Sequence, residues 1–155
     1  MRIAIYDMDG TIVDSTHRYR TIIQNGIERI DLQYWRDNEY RAGQDTLLPL
    51  AKQYQRDIID EDCYTIIATA RIIRGPDIQF IRDILGMPKH IISRMGDSDT
   101  RSGKVLKIIG LQKFFNLRQF KPENAVFYED NMEYLKGVCD HFNIRGVYIP
   151  SKQGH

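Results

Sequence analysis

Short apolar runs alternate with amphipathic segments along the whole chain. Five runs have the length and the β-branched or aromatic content of buried strands: residues 2–6, 63–68, 90–94, 125–128 and 145–149. Between them, helical spacing of apolar residues spans 15–30, 46–59, 76–85, 102–115 and 132–142. Strands that alternate with helices are typical of a parallel sheet covered on both faces. The pattern therefore predicts an α/β fold with a doubly wound parallel sheet.

Polar residues follow four of the five predicted strands. They are Asp7, Asp9 and Thr11 after the first strand, Thr69 and Arg71 after the second, Asp97, Asp99 and Arg101 after the third, and Glu129 and Asp130 after the fourth. The helix after the third strand adds Lys104 and Lys107. Ligands of such sheets bind beyond the carboxyl ends of the strands. We therefore expect these side chains to form one site.

The residue types at this edge suit phosphate chemistry. Several carboxylates repel one another unless a cation joins them, and oxygen ligands without His or Cys favour Mg²⁺. A hydroxyl and an ammonium group can hold a phosphate, and one carboxylate can attack it. A second carboxylate can protonate the leaving oxygen and later activate water. The spacing assigns the attack to Asp7 and the proton transfer to Asp9, with Gly10 allowing the turn after them.

The four motifs, in this order, resemble those of the haloacid dehalogenase (HAD) phosphohydrolase superfamily. They are Asp7-Met8-Asp9-Gly10-Thr11, Thr69, Lys107 and Glu129-Asp130. The resemblance implies a HAD-like Rossmannoid sheet, Asp7 as nucleophile, Asp9 as acid/base, and Thr69 and Lys107 as phosphate-binding residues. It also implies a Mg²⁺ site; the candidate ligands are Asp7, the Met8 carbonyl, Asp9, Glu129 and Asp130.

A second resemblance concerns the substrate. Arg18, Arg71 and the run from Asp99 to Lys107 are similar in spacing to the 3′-phosphatase domain of phage-type polynucleotide kinase–phosphatases. This implies that Arg18, Arg71 and Arg101 bind the substrate, and that the partner is a DNA or RNA end carrying a 3′-phosphate. The chain departs from that family at Gly103, where an acid is expected, and at Glu129, where the usual residue is aspartate.

The stretch between the first two motifs is also longer than in that family. It predicts a small helical insert, at about residues 19–60 with a helix near 32–41, within one domain of residues 1–155. An insert of this size is a minimal cap, and a site left open by it suits a large substrate such as a polynucleotide end.

The same residues allow other functions and other roles. The chain could be a small-molecule phosphatase such as a 5′-nucleotidase, if the insert closes over the site, or a catalytically silent HAD-like domain that binds an end. Lys104 competes with Lys107 for the phosphate, Asp99 could anchor Arg101, and Arg71 could be a surface residue. No P-loop is present, because Gly103-Lys104 is followed by Val105.

Composition bears on the partners and the cellular compartment of the protein. The chain has 155 residues, and 42% of them are hydrophobic. Its net charge of +1 gives no overall positive field of the kind that attracts nucleic acid. Cys63 and Cys139 lack metal-type spacing and suit core thiols of a reducing compartment. No apolar run approaches a membrane span, and the first residues lead into a strand rather than a signal peptide. We therefore expect a cytoplasmic protein without membrane contact; the sequence leaves the oligomeric state open.

Overall fold

The computed structural model describes residues 1–18 and 21–151. In chain order its elements are β1 (Arg2–Tyr6), β2 (Val13–Asp14), β3 (Thr21–Gln24), β4 (Ile27–Ile30), α1 (Leu32–Asp37), β5 (Thr46–Leu47), α2 (Ala51–Ile59), β6 (Cys63–Ile72), α3 (Gly75–Phe80), β7 (His90–Arg94), α4 (Gly103–Phe115), β8 (Ala125–Glu129), α5 (Met132–Phe142) and β9 (Arg145–Tyr148). Short 3₁₀ segments lie at Thr16–Arg18, Glu39–Gln44 and Pro122–Asn124, and one π-helical turn lies at Ile81–Leu85.

The central sheet has five strands in the order β7-β6-β1-β8-β9, and every pairing in it is parallel. All five predicted strands are confirmed. β6 runs four residues beyond its predicted end, and its register with β7 shifts between Ala68 and Ile72. The first strand of the chain is the middle strand, so the direction of winding reverses there. Such a reversal opens a crevice at the carboxyl ends of the strands.

Helices cover both faces of the sheet, as the doubly wound fold class requires. On one face, residues of α4 and α5 such as Leu106 and Val138 pack on Ile5 and Phe127. On the other face, the core comprises Ala4, Tyr6, Met8, Ile12, Val13, Ala51, Tyr54, Cys63, Ile67, Phe80, Ile81 and Leu85. None of the helices in the described ranges has the length and apolar character needed to cross a bilayer.

The helix predicted over residues 15–30 is wrong. After the 3₁₀ segment, β3 and β4 form an antiparallel hairpin whose turn is Asn25-Gly26. Both turn residues have positive φ, 52° and 75°, as a two-residue type I′ turn demands. Asn-Gly is the dipeptide that adopts this turn most readily, so the turn overrides the helical spacing of the neighbouring isoleucines.

Two other predicted helices have different bounds. The helix predicted over 46–59 begins only at Ala51, because Thr46 and Leu47 pair with Asp14 and Val13, and Pro49 disfavours helix in the residue before it. The helix predicted over 76–85 is α3 followed by the π-helical turn, and it ends at Gly86 with a φ of 107°, as expected for a terminal glycine. The helices predicted near 102–115 and 132–142 are confirmed as α4 and α5.

Between β2 and α2, residues 15–50 form an insert on the edge of the sheet that carries the predicted site. The insert contains the β3–β4 hairpin, α1 and the 3₁₀ segment Glu39–Gln44. The small helical element predicted near 32–41 corresponds to α1 and that 3₁₀ segment, whereas the hairpin was not predicted. The 3₁₀ segment packs against α3, which follows directly on β6.

Candidate active site

Asp7 lies at the carboxyl end of β1, in the middle of the sheet. Its backbone N–H donates to the carbonyl of Tyr128 at 3.0 Å, which extends the pairing between β1 and β8. Thr11 Oγ1 donates to Asp7 Oδ2 at 2.9 Å, and Lys107 Nζ donates to Asp7 Oδ1 at 2.9 Å. Two donors from different elements therefore fix the carboxylate in one orientation, as attack on a positioned phosphate requires.

Asp7 is one of three buried carboxylates that lie close together. Asp7, Glu129 and Asp130 each offer an oxygen, and these oxygens lie within 4.8 Å of one another. Burial raises the pKa of the Glu129 carboxyl well above its ordinary value, and the charge on Asp7 raises it further. With all three ionised and the Lys107 ammonium beside them, two negative charges remain. The donor set therefore fits one hard divalent cation such as Mg²⁺.

Lys107 extends from α4 into this cluster and is only 1% exposed. Burial lowers its pKa, but the charges of Asp7 and Glu129 outweigh burial and raise the pKa above its ordinary value. Its Nζ also contacts Glu129 Oε1 and Oε2 at 3.2 and 3.3 Å. Lys104, the competing lysine, approaches Glu133 at 3.9 Å instead. The geometry thus brings Lys107, and not Lys104, to the predicted nucleophile Asp7.

The turn after Asp7 bears on the predicted metal ligands. The Met8 carbonyl accepts three backbone N–H groups, from Thr11 at 3.1 Å, Ile12 at 3.0 Å and Val13 at 3.0 Å. A carbonyl oxygen has two lone pairs, so this carbonyl serves the turn, and the geometry argues against Met8 as a Mg²⁺ ligand. The three-carboxylate group also does not include Asp9.

The Asp9 carboxylate is held by other partners. Ser15 Oγ donates to Oδ1 at 2.6 Å, Arg71 Nε donates to Oδ2 at 3.2 Å, and Arg71 Nη2 donates to Oδ1. The residue predicted as acid/base therefore lies two residues after Asp7 and has its own set of hydrogen-bond partners.

Arg71 is at the centre of that pocket and is 3% exposed. Besides Asp9, its guanidinium donates to Asp77 Oδ1 at 2.6 Å and to Asp45 Oδ2 at 3.0 Å. The Trp35 ring centre lies 5.6 Å from its central carbon. Arg71 is therefore a buried residue, engaged by three carboxylates from three parts of the chain, rather than a surface arginine.

The other predicted residues occupy varied positions. Thr69 is buried within β6, three residues before its end, and its hydroxyl accepts the Arg71 N–H at 3.1 Å and retains a proton to donate. Arg101 forms a two-pronged pair with Asp99, at 2.8 and 2.7 Å, so Asp99 anchors Arg101 as one alternative had it. The side chain of Arg18 lies outside the described residues.

Gly103 departs from the polynucleotide phosphatase pattern for a visible reason. A Cβ at this position would lie 2.6 Å from the ring of Tyr134, and that ring also lies 5.4 Å from Lys107 Nζ. The space that an acid would need is therefore filled by an aromatic side chain packed beside Lys107.

The sequence did not single out Ser15, Asp45 and Asp77 as site residues. Ser15 and Asp45 belong to the insert, and Asp77 belongs to the first turn of α3, where it also accepts the Arg74 N–H at 2.9 Å. For Asp77, the available signal was an acid at the third position of a helix, which is common in caps. Asp45 had no such signal, because its partner Arg71 is 26 residues away.

Comparison with known proteins identifies relatives. A family model described as bacteriophage T5 5′-deoxynucleotidase matches residues 1–101. The 5′-deoxynucleotidase of Escherichia phage T5 is 31% identical over 103 residues, which make up 64% of this chain and 39% of that protein. The chain thus spans about two fifths of the length of that relative.

Solved structures with a similar fold include two HAD hydrolases. A haloacid dehalogenase-like hydrolase from Streptococcus pneumoniae is 14% identical with a TM-score of 0.62, over 98% of this chain and 88% of that one. A HAD-superfamily subfamily IA hydrolase from Geobacter sulfurreducens is 11% identical with a TM-score of 0.59, over 96% and 86%. These likenesses confirm the HAD-like fold, and the family match goes further: the chain belongs to the bacteriophage T5 5′-deoxynucleotidase family.

Proposed function

We propose that this protein is a phosphomonoesterase that removes the 5′-phosphate of deoxynucleoside monophosphates through an aspartyl-phosphate on Asp7. The observation that carries this proposal is the orientation of Asp7 by Thr11 and Lys107 beside the three-carboxylate cluster. The substrate class follows from the family and from the name of its phage T5 relative.

The residues divide the reaction between them. A carboxylate oxygen of Asp7 attacks phosphorus, the ester P–O bond breaks, and the departing oxygen takes a proton from Asp9. Asp9 then accepts a proton from water as that water attacks the phosphoryl group, which frees Asp7 and releases phosphate. Thr69 and Lys107 hold phosphate oxygens. Asp7, Glu129 and Asp130 would hold a Mg²⁺ ion, which neutralises charge on the transferred phosphoryl group when it is bound.

The structure also bears on the choice between a nucleotide and a polynucleotide end. The 3′-phosphatase interpretation relied on Arg18, Arg71 and Arg101 as substrate-binding residues. Arg71 is committed to three carboxylates and Arg101 to Asp99. Position 103, where that interpretation expects an acid, lies against Tyr134. These contacts support the nucleotidase alternative.

The position of the insert favours a small substrate as well. Asp45 bonds to Arg71, and Trp35 lies over the same guanidinium. The insert thus contacts the side of the site that carries Asp9, and these contacts support the nucleotidase alternative, which requires the insert to close over the site.

The proposal is tested by comparing substrates. Phosphate release should be measured from deoxynucleoside 5′-monophosphates, ribonucleoside 5′-monophosphates and a 3′-phosphorylated oligonucleotide. We expect the highest kcat/KM with a deoxynucleotide. A higher kcat/KM with the oligonucleotide would restore the polynucleotide interpretation and overturn the proposed substrate class.

A substitution of Asp9 probes the proton transfer. Asp9→Asn should lower kcat/KM for a deoxynucleotide by a factor on the order of 10² or more, the usual scale for a lost general acid. Hydrolysis of p-nitrophenyl phosphate should lose less, because p-nitrophenolate leaves without a proton. The ratio kcat/KM is the suitable measure, since it covers the steps up to departure of the leaving group. Equal losses on the two substrates would count against Asp9 as the acid.

Gly10 offers a test of the metal site. Its φ is 85°, and a Cβ there would lie 2.1 Å from Asp130 Oδ2. Gly10→Ala should therefore displace the Asp130 carboxylate and weaken Mg²⁺ binding, seen as a smaller rise in Tm on addition of Mg²⁺. Gly26, which also has a positive φ of 75° and where an added Cβ meets nothing within 4 Å, provides the matched control as Gly26→Ala. An unchanged Mg²⁺-induced rise in Gly10→Ala would contradict the proposed role of Asp130.

A further inference from the structure

We infer that Asp45 of the insert is a positioning residue for the proposed reaction: it fixes Arg71 on Asp9 and so links the seating of the insert to the acid/base. This inference rests on the proposed function, because it concerns the proton-transfer residue of that reaction.

The donors of the Arg71 guanidinium point in different directions. Nε and Nη2 face the two oxygens of Asp9, whereas Nη1 faces Asp77 and Nη2 also faces Asp45. A guanidinium is planar and its donors are rigidly spaced. The orientation of the guanidinium toward Asp9 therefore depends on its hydrogen bonds to Asp77 and Asp45.

The two anchors have different origins. Asp77 belongs to α3, and its second oxygen accepts the Arg74 N–H at 2.9 Å, so it is part of the scaffold. Asp45 ends the 3₁₀ segment of the insert, and its side chain is completely buried. Its other oxygen lies 2.7 Å from His17 Nε2, which joins two ends of the insert at one carboxylate. Of these two carboxylates, Asp45 is therefore the one that connects the insert to Arg71.

Asp9 receives a second contact from the insert. Ser15 Oγ donates to Asp9 Oδ1 at 2.6 Å, the same oxygen that Arg71 Nη2 contacts. Ser15 and Asp45 lie near the two ends of the insert. The insert thus contacts Asp9 directly through Ser15, near one of its ends. Near the other end, Asp45 contacts Asp9 indirectly, through Arg71.

A simpler role for Asp45 is charge compensation alone. Arg71 is fully buried, and a buried guanidinium that loses a carboxylate partner costs stability whether or not it positions anything. The two roles differ in one respect: positioning acts through Asp9, so its effect disappears when Asp9 can no longer transfer a proton.

A double-mutant cycle separates the roles. The variants are Asp45→Asn, Asp9→Asn and the double variant, assayed with a radiolabelled deoxynucleotide so that residual rates remain measurable. We expect Asp45→Asn to lower kcat by between about tenfold and 100-fold, as small misplacements of catalytic groups do, with little change in KM. Its loss on p-nitrophenyl phosphate should be smaller. In the Asp9→Asn background, adding Asp45→Asn should change kcat/KM by less than about twofold, within the ordinary error of additivity.

Asp57→Asn is the matched control. Asp57 is another buried carboxylate and lies in α2. It accepts hydrogen bonds from Tyr6 Oη at 2.6 Å and from Arg2 at 3.2 Å. Its amide variant should lower Tm without changing the ratio of rates on the two substrates. If Asp45→Asn does not fold, His17→Ala in the same cycle loosens Asp45 while keeping its charge, and the same non-additivity is expected.

Full additivity of Asp45→Asn and Asp9→Asn, or equal losses on both substrates, with an active parent enzyme, would overturn the positioning role and leave the proposed function standing. A parent enzyme inactive on both substrates would overturn the proposed function and this inference together.

Discussion

The Asp7→Asn variant is expected to lose phosphatase turnover while it keeps its fold. An amide is nearly isosteric with a carboxylate but is a poor nucleophile, so the aspartyl-phosphate cannot form. Loss of a covalent nucleophile costs on the order of 10⁶ in kcat where it has been measured in a catalytic triad, and a loss of several orders of magnitude is expected here. Phosphate release by the purified variant, with a deoxynucleotide as substrate, measures it.

The stability of the same variant provides the control. Asp7 and Glu129 are buried carboxylates in one cluster, and the charge of Asp7 helps to raise the pKa of Glu129. Removing that charge relieves repulsion, and Lys107 keeps Glu129 as a partner. We therefore expect a Tm equal to or above that of the parent in the absence of divalent cations. A near-parent rate in a folded Asp7→Asn variant would contradict the mechanism.

Removal of divalent cations is expected to abolish activity, and Mg²⁺ should restore it. Without a cation, an anionic phosphate would have to approach the buried carboxylates of Asp7 and Asp130, so catalysis would face strong repulsion. Ca²⁺ should substitute poorly, because it takes more ligands at longer distances than Mg²⁺ does. The measurement is the rate of phosphate release in EDTA, and after addition of excess Mg²⁺ or Ca²⁺.

Binding of the cation can be followed without turnover. Mg²⁺ should raise Tm in the parent by mass action, and less in Asp130→Asn, which removes a proposed ligand. Full activity in excess EDTA, or an equal rise in Tm in both proteins, would show that the three-carboxylate cluster does not hold a functional metal.

The sequence predicted the sheet and the location of the site because both follow from a regular pattern. Buried parallel strands are continuous apolar runs, and the residues that follow them must meet at one edge. Asp7 and Lys107, 100 residues apart, were therefore placed together correctly without any knowledge of their contact.

The insert was harder to predict because its structure depends on one turn. The isoleucines of residues 21–30 satisfy a helical spacing, but Asn25-Gly26 closes a hairpin that leaves Ile23 and Ile27 exposed. Apolar periodicity assumes that apolar residues face a core, and that assumption fails in a hairpin outside the core.

The surroundings of Arg71 could not be predicted for a different reason. An arginine after a strand suits a surface position, a substrate contact or a buried ion pair equally well. The outcome depends on where Asp45 and Asp77 come to lie, and Asp45 reaches Arg71 only through the fold of the insert.

The most direct test of the account is detection of the phosphoryl group on Asp7. Enzyme mixed with Mg²⁺ and a deoxynucleoside monophosphate radiolabelled in its 5′-phosphate should be quenched with acid within a single turnover. We expect a labelled protein whose label lies on the peptide containing Asp7, is released by hydroxylamine as an acyl phosphate should be, and is absent from Asp7→Asn. Release of labelled phosphate with no label on the protein at any time, or label on Asp7→Asn equal to that on the parent, would contradict it.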